Sequence, residues 1–96
     1  MKRVQKKDIE QFYRAIVRLR NSREVRLFLR DLLTENEIKE FAIRLNVARM
    51  IANRVPYTQI IRETGLSSRT IARVARWVKK GTGGFKMAIE RSKPQR

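Results

Sequence analysis

Apolar residues recur every three or four positions along most of the chain, a spacing that predicts helix. Ile9, Phe12, Tyr13, Ile16, Val17 and Leu19 keep this period over residues 8–20, with Asp8 placed to cap the helix and Glu10 near its positive end. Asn21-Ser22 interrupts the run, and a second helix is expected from Ser22 to Leu33, with Val25, Phe28, Leu29, Leu32 and Leu33 on its buried side. Thr34-Glu35-Asn36-Glu37 has the spacing of a capping box, in which Thr and Glu three apart satisfy each other's backbone N–H groups. It opens a third helix reaching about Asn53, with Ile38, Phe41, Ala42, Leu45, Ala48 and Ala52 as its apolar stripe. Pro56 cannot extend that helix. A short helix from Tyr57 to Thr64 then ends on Gly65, and Ser67 caps a helix over 68–79. Gly81-Thr82-Gly83-Gly84 stops it; a weak last helix covers 85–91, and 92–96 reads as a basic tail. No alternation of period two is long enough to argue a strand. The expectation is an all-α domain over 1–96 with five to six helices.

A chain of 96 residues holds one small core at most, so association with a second copy is a natural way to complete it. Cysteine and histidine are both absent. That excludes disulfides, thiolate metal sites and imidazole acid–base chemistry. Glu35, Glu37 and Glu40 cluster at a helix start, where capping explains them, so no enzyme and no cofactor is expected. No apolar run approaches the roughly 18–20 residues of a membrane span, and the charged N-terminus leads into no apolar segment. A cytoplasmic protein is expected.

Charge adds a partner to this picture. Twenty-four Lys and Arg against nine Asp and Glu leave +15, and residues 38–96 carry +11 of it. Charge of this size attracts polyanions, nucleic acid first. The two helices joined at Gly65 match a helix-turn-helix, with Ile60 and Ile61 on the first, Leu66 in the turn, and Ile71, Val74 and Val78 on the second. With Ser68 at zero on a helical wheel, Ile71, Val74, Ala75 and Val78 fall between roughly 240° and 340°. Arg69, Arg73, Arg76 and Lys80 fall between roughly 80° and 140°, with Trp77 and Thr70 beside them. The stripe contains no acid, so it lacks the partners that would neutralise a helix face. In such a motif the start of the second helix reaches base edges, which assigns Ser67, Ser68, Arg69, Thr70 and Arg73 there. Arg76, Lys79 and Lys80 suit phosphates, as do Gln59 and Arg62 on the preceding helix.

Three segments, DLLTENEIKEFAIRLNVARMI, YTQIIRETGLSSRTIARV and KKGTGGF, give the chain a resemblance to the tryptophan repressor family, and within it to the repressor-like YerC/YecD group. The resemblance covers about residues 8–90. It implies an intertwined homodimer whose N-terminal helices, within 8–53, interleave, while each subunit offers residues 57–79 to duplex DNA as a bacterial-type transcription regulator. It also implies a ligand pocket for a small effector. Arg44 and Arg73 match the arginines that sandwich the tryptophan corepressor, with Leu33, Thr34 and Thr70 matching their neighbours. Val74 and Trp77 stand where that pocket has glycine and serine. Both add bulk, so free tryptophan is not expected to bind and the effector is left open. Two other readings of the same residues remain: a nonspecific nucleic-acid-binding protein, and an interaction module of a transcription or replication machine.

Overall fold

The computed structural model describes residues 3–92. Six helices follow one another: α1 (Lys6–Val17), α2 (Ser22–Leu32), α3 (Glu35–Ala52), α4 (Tyr57–Thr64), α5 (Ser68–Lys80) and α6 (Gly84–Arg91). There is no strand among the described residues. The all-α expectation holds; of the basic tail, 93–96 lie outside the described residues. Backbone packing divides the chain into two units, the first ending at Ile38 and the second beginning at Lys39.

In the first unit, local capping sets the boundaries. Helix α1 begins two residues before Asp8, because Gln5 is its cap. Asp8 instead sits three residues on and accepts the Gln5 backbone N–H at 3.4 Å. The same helix ends at Val17, short of Arg20. The next cap competes for the chain: Asn21 Oδ1 accepts the Glu24 N–H at 3.0 Å, and Glu24 Oε1 accepts the Arg20 N–H at 2.9 Å. The expected burial of the α2 stripe is not found. No residue of α1 or α2 is buried; Val25 and Leu32 are exposed, and Phe28, Leu29 and Leu33 are half-buried. Two amphipathic helices in a unit of under forty residues supply no third layer to cover them.

At the head of α3 the capping box forms as read: the Thr34 N–H donates to Glu37 Oε1 at 2.8 Å, and the Glu37 N–H to Thr34 Oγ1 at 3.1 Å. These donors hold the Glu37 carboxyl below the usual carboxylate range.

The second unit has the core. Val47, Ala48 and Ile51 of α3 meet Ile60 of α4, Ile71, Val74, Ala75 and Val78 of α5, and Ile89 of α6. Leu45, Met50, Val55, Leu66 and Phe85 pack around them. The α5 seam is the one expected from the period. On α3 the seam is shifted: Ala48 is buried and Leu45 packs at the edge of the core as expected, but Val47 and Ile51, outside the expected stripe, are also buried, whereas Phe41, Ala42 and Ala52 are exposed. Apolar residues lie all round this helix, so periodicity alone did not fix the face, and packing in the core turned it toward Val47 and Ile51 while keeping Ala48.

Candidate nucleic-acid interface

The turn between α4 and α5 is three residues long, Gly65-Leu66-Ser67. Gly65 takes φ +73°, the left-handed conformation that glycine adopts without Cβ strain, and its N–H donates to the Ile61 carbonyl at 2.8 Å. The Thr64 hydroxyl donates to the Ile60 carbonyl and accepts the Leu66 N–H. Leu66 is thereby held against the core as the plug between the two helices. Ser67 Oγ accepts the Thr70 N–H at 3.2 Å and lies 3.0 Å from Thr70 Oγ1, which fixes the start of α5.

Helix α5 has two unlike sides. Its apolar seam is sealed in the core, and Arg69, Arg73, Arg76, Lys79 and Lys80 are all exposed. Among the described residues none of these five cations has an ion-pair partner. Lys79 and Lys80 stand in the last turn, where the helix dipole favours positive charge. Gly81 then makes the exit: a Cβ there would lie 2.3 Å from the Trp77 carbonyl oxygen, so only glycine fits. On α4, Arg62 is exposed, and the Gln59 side chain donates to Glu63 Oε1 at 3.1 Å.

Behind the cationic side lies a cavity of about 260 Å³. It brings together Arg44, Thr70, Arg73, Val74 and Trp77, which the family resemblance had grouped, and adds Glu40, Ile43 and Leu66. The cavity is built from the second unit; Leu33 and Thr34 lie in the first. Arg44 is pinned on its own helix. Its guanidinium carbon is 5.5 Å from the centre of the Phe41 ring, and its Nη2 is 4.0 Å from Glu40 Oε1. Both contacts follow helical spacing of three and four, the signal that would have found Glu40 beforehand. Arg73 lines this cavity and also a groove on the outer side of α5 with Arg69 and Arg76. Trp77, 40% exposed, separates the cavity from an apolar hollow against Leu45, Phe85 and Ala88.

Among the described residues no cluster of acidic side chains could hold a metal ion, and no helix is long and apolar enough to cross a membrane.

Comparison with known proteins accounts for this arrangement. The sequence profile of the Trp repressor protein family matches residues 7–93. The uncharacterised protein YerC of Bacillus subtilis (strain 168) is 40% identical over 87 residues, which cover 91% of this chain and 84% of that one. The crystal structure of a Trp repressor candidate from Staphylococcus aureus superposes with a TM-score of 0.82 at 36% identity, covering 91% of this chain and 87% of the other. That of a TrpR-like protein from Eubacterium eligens ATCC 27750 gives 0.83 at 34% identity, covering 91% and 90%. With a profile match over nearly its whole length and these relatives, the chain belongs to the Trp repressor family of helix-turn-helix DNA-binding regulators.

Proposed function

We propose that the protein is a homodimeric transcription regulator that reads a specific duplex sequence in the major groove with the start of α5. The observation that carries this reading is the unpaired cationic side of α5, rigidly presented because its other side is seated in the core. Ser68 and Arg69 are the base readers; arginine grips guanine O6 and N7 with two donors. Arg73 shares this role, and Ser67 and Thr70 set the helix start that aims them. Arg76, Lys79 and Lys80 hold phosphates, with Gln59 and Arg62 on α4 touching the backbone. Dimerisation is supported by α1 and α2, whose apolar sides find no cover among the described residues of their own unit.

Selection of bound duplexes from a random pool tests this reading. A palindromic consensus with half-sites about one helical turn apart is expected. Arg69→Ala then relaxes preference at one position per half-site, losing roughly 5- to 150-fold on the selected duplex and little on random duplexes. Lys80→Ala weakens all duplexes alike and flattens the salt dependence. Recovery of no consensus, or uniform losses in both variants, would overturn base reading by α5.

The cavity beside Arg44 and Arg73 has the chemistry to hold a small anionic effector, but Val74 and Trp77 form two of its walls. Titration of free tryptophan in a calorimeter is expected to give no saturable heat; a micromolar isotherm would show that these side chains leave room for the indole.

A further inference from the structure

We propose that the phosphate-binding surface continues past the end of α5 into a cleft formed by Arg54, Tyr57 and Lys79, and that this cleft takes a phosphodiester group of a duplex backbone. The inference rests on the reading of α5 as the duplex-binding helix, and extends it to residues outside that helix.

Three grooves share their walls along this side of the second unit. Arg69, Ala72, Arg73 and Arg76 line the first. The second takes over Ala72 and Arg76 and adds Tyr57, Lys79 and Lys80. The third, about 410 Å³, carries on from Tyr57 and Lys79 to Arg54. Together they make one trough whose cations come from α5 and from Arg54 at the end of α3, and whose lining holds no carboxylate. Arg69 and Lys79 alone are ten residues apart on α5, about 15 Å of helix. An uninterrupted positive trough with small Ala72 on its floor fits a phosphodiester backbone, which repeats its charge along its length.

The far end of the trough is where the backbone is strained. Arg54 is the one non-glycine among the described residues with positive φ, at +61°. Its N–H donates to the Ile51 carbonyl and the Val55 N–H to the Met50 carbonyl, both at 2.9 Å, so this residue closes α3. Glycine or asparagine takes that position with less strain. The chain instead places a guanidinium there, and among the described residues this group has neither an ion pair nor a hydrogen bond. The Tyr57 hydroxyl, likewise without a partner among the described residues, is on the same cleft as a second donor. A strained backbone that holds an unneutralised donor at the end of a cationic trough is accounted for by an anion from outside the chain.

Arg54→Gly separates binding from folding, because glycine relieves the backbone. Its melting temperature is expected to hold or rise. Its affinity for the selected duplex and for random duplexes is expected to fall by the same factor, about 3- to 10-fold at moderate salt. The slope of log affinity against log salt should shrink by about 0.9 for each phosphate that is no longer neutralised. Arg54→Lys should keep most of the slope, and Tyr57→Phe should lose affinity uniformly but less. A stable Arg54→Gly protein with unchanged slope overturns the proposal, as does a loss confined to the selected sequence. If the unaltered protein binds no duplex, the reading of α5 has failed and this one falls with it; if that protein binds selectively and only Arg54→Gly is silent, the cleft alone is wrong.

Discussion

Phe12→Asp is expected to leave a monomer in which residues 6–32 have lost most of their helix. Helices α1 and α2 contain no buried residue, and Ile9, Phe12, Tyr13, Ile16 and Val17 are exposed along one side of α1. The rings of Phe12 and Tyr13 stand 6.2 Å apart and carry most of the aromatic surface there. In the proposed dimer this side is covered by the second copy. Truncating a buried phenylalanine costs about 3–5 kcal/mol, and a charge in its place costs at least as much. A homodimer meets the change twice, so about 6 kcal/mol or more is lost, which is roughly ten-thousandfold or more in the dissociation constant. Sedimentation and circular dichroism at micromolar concentration read the two consequences together. Gln11→Asp makes the same change of charge on the other side of α1 and should remain a folded dimer. If Phe12→Asp sediments as the native species with its helix content intact, this side of α1 is not the interface.

The second large effect belongs to the core of the other unit. Ile60→Ala is expected to destabilise the helix-turn-helix by about 2–5 kcal/mol, a large share of the stability of a small domain. Ile60 is fully buried, and it ties α4 to the α5 seam of Ile71, Val74 and Val78. The neighbouring Ile61 is 37% exposed, so Ile61→Ala should cost far less. Urea denaturation of both variants checks the contrast. Equal losses would mean that α4 is rotated from the position described, and with it the aim of α5.

That pair of isoleucines also marks where sequence stopped being informative. Period and turn chemistry placed the helices because capping and glycine act locally: Thr34 with Glu37, Ser67 with Thr70, and Gly65 in its left-handed turn all formed as read. The α5 seam was legible because its apolar residues keep to one side with charges opposite. Helix α3 has no such contrast, so tertiary contact chose Val47 and Ile51 over Phe41 and Ala42. The stripes of α1 and α2 identified residues that need cover, but a stripe does not say whether the chain itself supplies it. The cavity at Arg44 and Arg73 was reached through family likeness, since it joins α3 to α5 across more than twenty residues of sequence. The posture of Arg54 left no trace in composition or period, because arginine does not mark a left-handed turn.

The uncovered α1 and α2 helices bear on how such a regulator responds to its own abundance. Under the proposed pairing, the binding-competent form accumulates as the square of the chain concentration while copies are scarce, and linearly once they are plentiful. Occupancy of an operator would then switch over a narrower range of expression than a monomer allows, and a modest change in synthesis or turnover would set gene output without any small molecule.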